Sequence, residues 1–302
     1  MIILANDGID ASAKTTLESL GYTVEVHHYE GEGLLKRIQE VDCIIVRSAT
    51  KLRKPSIDAA LKTKQLKLII RAGVGIDNID HVYAKEQGII VQNTPNSSSD
   101  AVAELAIGHM FAIARHIYIS NVTMREGKWE KKQYRGIELN GKTLGLVGFG
   151  RIAKSVAKKA MALGMNVIYT DTFKDVASLE GCCYVDKETL LKESDFLSLH
   201  IPFIKEDGPF LDKEAFSMMK KGLYLVHTAR GGVVDENALL DALDQGIVER
   251  AALDVFEDEP VKNMRIYTHD KISLTPHIGA ATHEAQARIG LETIEVIKKH
   301  LS

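Results

Sequence analysis

Residues 143–171 read TLGLVGFGRIAKSVAKKAMALGMNVIYTD and place Gly148, Gly150 and Ala153 at the positions of a GxGxxG/A loop. Gly148 can make a tight turn, and Gly150 leaves room for a pyrophosphate against the backbone. A small residue at 153 lets the following helix pack closely. That helix opens at Arg151 and Ile152, where unpaired amides are available to phosphate oxygens. Asp171 ends the next strand, where a carboxylate accepts hydrogen bonds from adenosine ribose hydroxyls. Its charge repels an added 2′-phosphate and so favours NAD over NADP. FAD is the competing cofactor, and a glycine turn with a solvent-facing aspartate is the non-binding alternative. With strand, loop, helix and next strand all present, the segment points to a nicotinamide dinucleotide.

The elements around this loop form two alternating series. In the first, Ile2-Ile3-Leu4, Val24-Glu25-Val26, Cys43-Ile44-Ile45-Val46, Leu68-Ile69-Ile70 and Ile89-Ile90-Val91 are separated by helix-length stretches such as 11–20 and 78–87. The second runs through Thr143–Val147, Val167–Tyr169, Phe196–Leu199, Tyr224–Val226, Ala251–Leu253 and Ile272–Leu274. Both predict parallel α/β sheets. Asn93, Thr94, Pro95 and Asn96 punctuate the chain, and Ser99 or Asp100 is a candidate cap for the helix that follows. An amphipathic helix from His283 to Lys299 returns to the first domain. The expected architecture is a discontinuous flavodoxin-like substrate domain, 1–97 plus 282–302, around an inserted NAD-binding domain, 98–281, with the active cleft between them. Residues 101–120, AVAELAIGHMFAIARHIYIS, are apolar on more than one face. They predict a single buried helix at a homodimer interface, with an intrachain core as the alternative.

Thirty-eight Lys and Arg against 41 Asp and Glu give the 302-residue chain a net charge of −3. That balance supplies no global field for nucleic acid or an anionic membrane. Glu104, His109, Arg115 and His116 interrupt the longest apolar run, which argues against a membrane span. Cys43, Cys182 and Cys183 form neither a disulfide framework nor a spaced metal cluster. They read as reduced thiols of a cytoplasmic protein, and no secretion signal opens the sequence at MIILANDG. The eleven histidines show no zinc-hydrolase motif, so no metal is expected.

The motifs RAGVGIDNID at 71–80, NTPNSSSDAVAELA at 93–106, ELNGKTLGLVGFGRIA at 138–153, HTARGGVVDENAL at 227–239, ALDVFEDEP at 252–260 and TPHIGA at 275–280 follow one another in order. Together they resemble the D-2-hydroxyacid dehydrogenases over most of the chain, and most closely their short phosphoglycerate-oxidising branch. The resemblance implies that Arg230 clamps the substrate carboxylate, a task suited to its bidentate fork. It makes His277 the general acid/base and Glu259 the carboxylate that orients it. Taken alone, each has a plainer reading: a structural histidine, a loop-bridging arginine, and a glutamate in the solvated run Glu257-Asp258-Glu259. Thr228 and Asp254 are implied at the cofactor, although Asp254 could instead stabilise a strand-end turn. The backbone around Val74 and Gly75 offers the substrate carboxylate an anion nest. Arg47 in IIVRSAT and Arg71 in RAGVG match basic positions that would meet a distal phosphate; either could instead make an ion pair.

The implied reaction is the NAD-dependent interconversion of 3-phosphoglycerate and 3-phosphohydroxypyruvate in serine biosynthesis, with a small phosphorylated 2-hydroxyacid as substrate. The alternatives are another D-2-hydroxyacid dehydrogenase, a glyoxylate/hydroxypyruvate reductase, or an NAD-responsive binding protein. The chain departs from the family pattern at Ala153, at Ile204 where threonine is usual, and at Asp100 where a small hydroxyl residue is frequent. From its 302 residues the chain is expected to lack the regulatory domains of longer relatives.

Overall fold

Runs of branched aliphatics that are buried on both faces become the strands of two parallel sheets. The structure, a computed structural model, describes residues 1–173 and 179–301 and divides into two compact units, 1–99 with 280–302, and 100–279. In the first unit the order is β1 (Ile2–Ala5), α1 (Ala11–Ser19), β2 (Thr23–Val26), α2 (Gly31–Arg37), β3 (Cys43–Val46), α3 (Lys54–Leu61), β4 (Leu68–Arg71), α4 (His81–Glu86) and β5 (Ile90–Asn93). Among the described residues its strands pair in the order β2-β1-β3-β4-β5, the flavodoxin-like arrangement. Alternate residues feed opposite cores. Leu4, Ile44, Val46 and Ile69 face one side, while Ile3, Ala5, Cys43, Ile45 and Ile70 face the other.

The second unit contains α5 (Ser99–Ala114), α6 (Ile117–Arg125), β6 (Thr143–Val147), α7 (Arg151–Ala162), β7 (Asn166–Thr170), β8 (Cys182–Tyr184), α8 (Lys187–Glu193) and β9 (Phe196–Leu199). It continues with α9 (Lys213–Ser217), β10 (Leu223–His227), α10 (Glu236–Asp244), β11 (Val248–Leu253), α11 (Met264–Tyr267) and β12 (Ile272–Leu274). Its described strands run β12-β11-β10-β9-β6-β7-β8, a Rossmann sheet extended by one strand. The order reverses between β6 and β9, so the crevice at their carboxyl ends is the expected ligand position. The last helix, α12 (His283–Leu301), belongs to the first unit. Its Ile289, Ile294, Ile297 and Leu301 close one core, and Gly290 brings it so near α1 that a Cβ there would lie 2.8 Å from that of Ala13.

One local expectation needs correction. The segment 101–120 is not one helix: α5 and α6 are bent by 63° at Arg115-His116. His116 is buried and left-handed (φ 56°), with its Nε2 at 3.2 Å from Arg135 O. The broad apolar character of α5 is explained inside the unit, where Ala103, Ala106, Met110, Ile113 and Ala114 pack with Leu144, Leu146 and Phe149. The two cap candidates, Ser99 and Asp100, both lie within the first turn of α5, and Asp100 accepts from Ser155 Oγ at 2.5 Å and Lys159 Nζ at 3.2 Å. Strand β8, which carries Cys182 and Cys183, had no strand signal of its own. Among the described residues no single helix is long and apolar enough to cross a membrane.

Candidate active site

Three adjacent strands of the second unit end in the loops that carry Arg230, Glu259 and His277: β10, β11 and β12 respectively. The first two loops touch at Gly231, where a Cβ would collide with Phe256 O, so only glycine permits that approach. Glu259 Oε2 accepts from His277 Nδ1 at 2.8 Å, and Oε1 accepts from Phe256 N at 3.3 Å. Burial pushes the Glu259 carboxyl upward. The hydrogen bond and charge of His277, the Phe256 amide and the charge of Arg230 outweigh it and hold the group below its ordinary value. Because Nδ1 is committed to the carboxylate, Nε2 is the nitrogen available for proton exchange. Arg230 anchors its loop by donating from Nη1 to Ala229 O at 2.6 Å.

His277 has φ 52°, a left-handed conformation uncommon for a residue with a Cβ. Asp254, only 1% exposed, grips the turn around it. Its Oδ1 accepts from Thr275 Oγ1 at 2.6 Å and Ile278 N at 2.8 Å, and its Oδ2 from Gly279 N at 2.9 Å. Sequence reasoning missed Thr275 as a partner, although TPHIGA places it two residues before the histidine. It also missed His109 on α5, whose Nε2 lies 3.0 Å from Thr275 Oγ1. A lone histidine in an apolar helix carries no signal that separates it from a packed core residue.

The residues expected at the cofactor from the sequence lie around β6, β7 and β10. Gly148 has φ 82°, and a Cβ there would sit 2.7 Å from Ile201 Cγ2 and 2.8 Å from His200 O. A Cβ at Gly150 would meet nothing within 4 Å, which leaves open space before α7. Among the described residues no side chain caps α7, so the amides at Arg151 and Ile152 remain available to an anion. Asp171 Oδ2 accepts from Phe149 N at 2.7 Å, which ties the strand-end carboxylate to the glycine loop. Thr228 Oγ1 is buried with no hydrogen-bond partner among the described residues, a polar atom left for a bound group. The open glycine turn, the free helix amides and this orphaned hydroxyl fit a dinucleotide. Beside them, burial pushes the imidazoles of His200 and His227 down to about 3, so both rings are neutral at pH 7.

In the first unit Arg47 lines a recess of about 350 Å³ with Ala281, Thr282, His283, Glu284 and Gln286. Its backbone is pinned on both sides: Arg47 N donates to Asp7 Oδ2 at 2.7 Å, and Arg47 O accepts from Asn78 Nδ2 at 2.7 Å. Arg71 folds over the following turn, donating to Ala72 O at 3.4 Å. The glycine-dependent position there is Gly73 (φ 149°), where a Cβ would collide with Arg71 Nη1. Val74 O accepts from Asn93 Nδ2 at 2.5 Å, and Gly75 is half-buried.

Residues 107–279 match the family model described as D-isomer specific 2-hydroxyacid dehydrogenase, NAD binding domain. The chain is 49% identical to the hydroxypyruvate reductase of Thermotoga maritima, a match that covers 98% of this chain and 97% of the relative. It is 44% identical to the D-3-phosphoglycerate dehydrogenase of Methanocaldococcus jannaschii over 99% of its own length, but spans only 57% of that longer protein. The crystal structure of the TT0316 protein from Thermus thermophilus superposes with a TM-score of 0.90 at 35% identity, covering 100% of this chain and 97% of the other.

Proposed function

This chain belongs to the D-isomer specific 2-hydroxyacid dehydrogenase family and is an NAD-dependent oxidoreductase, and we propose that it reduces hydroxypyruvate or a 2-oxo acid of similar size to the D-2-hydroxy acid. The observation that carries the chemistry is the 2.8 Å contact between His277 and Glu259. The similarity to a hydroxypyruvate reductase along nearly the whole of both chains supports the substrate.

In this reading the phosphate loop, Asp171 and Thr228 hold NAD, whose nicotinamide, when bound, supplies the hydride for reduction or accepts it in oxidation. Arg230 fixes the substrate carboxylate through its two-pronged fork, which holds the adjacent carbonyl carbon in place. His277 donates its Nε2 proton to the carbonyl oxygen as that oxygen becomes a hydroxyl, and takes the proton back in the reverse direction. Glu259 stabilises the protonated imidazole and keeps the ring from turning. Within the first unit, the backbone amides of Val74 and Gly75 form a candidate nest for a carboxylate.

A second reading, a substrate bearing a distal phosphate as in 3-phosphohydroxypyruvate, is favoured by Arg47 at the first unit's recess, with Arg71 as its companion. A place in serine biosynthesis follows only from that second reading. Steady-state assays with NADH and NADPH on hydroxypyruvate, glyoxylate, pyruvate and 3-phosphohydroxypyruvate separate the two. A kcat/KM on hydroxypyruvate about tenfold or more above the phosphorylated acid is the expected result. The opposite ranking would transfer the assignment to the phosphorylated substrate.

A further inference from the structure

His109 stands on α5 among Ala106, Met110 and Ile113 and is 3% exposed. Its ring reaches a partner 166 residues away in sequence, the hydroxyl of Thr275. The direction of that hydrogen bond follows from its neighbour. A threonine hydroxyl has one proton, and Thr275 donates it to Asp254 Oδ1, 2.6 Å away. Thr275 Oγ1 therefore accepts from His109, and the imidazole is the Nε2–H tautomer. Burial pushes this ring below its ordinary proton affinity against the opposing pull of Asp254, which leaves it neutral with a single N–H.

The relay ends on the catalytic turn. Asp254 receives the amides of Ile278 and Gly279, immediately after His277, while His277 N donates to Thr275 O at 3.0 Å on the other side. A left-handed histidine has no local reason to keep its conformation, so the flanking hydrogen bonds must hold it. Thr275 is the shared member, with its carbonyl on the histidine amide and its hydroxyl on the carboxylate.

We propose that His109 is a positioning residue for the reaction: by donating to Thr275 it orients the hydroxyl toward Asp254, and so holds His277 in the backbone conformation from which it meets Glu259 and the substrate. The inference rests on the reading of His277 as the acid/base. It also makes α5 part of the catalytic apparatus, although the helix itself contributes no group to the substrate or the cofactor.

The test compares His109→Leu, which fills similar space without a donor, with His109→Gln, whose amide nitrogen can donate from a similar place. Loss of one hydrogen bond of about 1 kcal/mol corresponds to roughly a fivefold change in rate. His109→Leu should therefore lose about fivefold or more in kcat, with KM for the oxo acid and NADH affinity by fluorescence titration within about twofold. His109→Gln should recover most of that loss. Nitrogen-15 spectra of the wild-type histidines should show His109 protonated at Nε2. A side chain that merely packs would lower the melting temperature in both variants and leave kcat unchanged. That result, equal kcat in the two variants, or an Nδ1–H tautomer would overturn the proposal. Should His109→Leu not fold, Thr275→Val removes the same hydroxyl and should give the same loss confined to kcat. His277→Ala serves as the control. If it is inactive while His109→Leu is normal, the relay alone fails; if it is fully active, the assignment of His277 fails as well.

Discussion

At the scale of single residues, the site depends on groups whose properties are set by their partners. The Glu259 carboxyl is held below its ordinary value, so it stays ionised through the neutral range and is ready to receive His277 Nδ1–H. Replacing His277 with alanine should cut kcat by about 10²–10⁴, the usual worth of a positioned acid/base, while NAD still binds. Arg230→Lys should remain poor although it keeps the charge, because an ammonium lacks the fork that engages both carboxylate oxygens. Steady-state and single-turnover kinetics on folded variants check both, and near-normal rates would remove these roles. Arg47 and Arg71 make a different kind of claim. If a distal phosphate is recognised, Arg47→Ala or Arg71→Ala should reduce kcat/KM on the phosphorylated oxo acid by about fivefold to a hundredfold at fixed ionic strength. Hydroxypyruvate turnover should hardly change. Equal losses on both substrates would assign the arginine to folding or general architecture instead.

At the scale of elements, the strand ends of the second unit combine neutral histidines with tight glycine turns. His200 and His227 follow or close the adjacent strands β9 and β10, and burial holds both imidazoles at about 3. An unfolded chain would protonate them near 6.5. Between those values the unfolded state binds more protons, so stability is complete above about pH 6.5 and falls as the pH drops toward 3. Each ring should contribute a slope of up to about 1.4 kcal/mol per pH unit in that window. Urea unfolding at pH 7, 6 and 5 should show a shallower loss for His227→Gln than for the wild type; identical slopes would mean that the ring is solvated or charged in the native state. The element boundaries show where sequence reading stops. The glycine loop and its strand were legible because turn and helix chemistry are local. The break at His116 was not, since nothing in AIARHIYIS forbids a continuous helix; the buried ring and its contact with Arg135 occur only once the chain has folded back. Strand β8 is three residues long and takes its place by pairing with β7, which a short window cannot anticipate.

For the molecule as a whole, the surface of α5 and α6 bears on assembly. After α5 has buried one face, Phe111, Ile117, Val122 and Met124 remain exposed on α5 and α6, Ile117 to 52% and Met124 to 51%. Apolar side chains concentrated on one pair of helices favour a partner surface, and a second copy of the chain is the simplest one. Light scattering should give a mass about twice the 33.3 kDa chain. Ile117→Glu combined with Val122→Glu should shift the protein toward the monomer without unfolding it. A wild-type monomer persisting at high concentration would remove the dimer and leave the enzyme assignment intact.

The sequence alone determined the two alternating α/β series, the strand–glycine-turn–helix unit that ends its next strand at Asp171, and the family to which the motifs point, because each depends on spacings shorter than one structural unit. What tertiary structure decided is the set of contacts between distant positions. His277 meets Glu259 across 18 residues and His109 meets Thr275 across 166, and α12 closes the core of a sheet whose strands lie near the other end of the chain. Hydrophobic periodicity states that a residue is buried but not against what. The partner is chosen by the order in which strands join a sheet and by the few turns, such as the left-handed one at His277, that long-range hydrogen bonds hold in place.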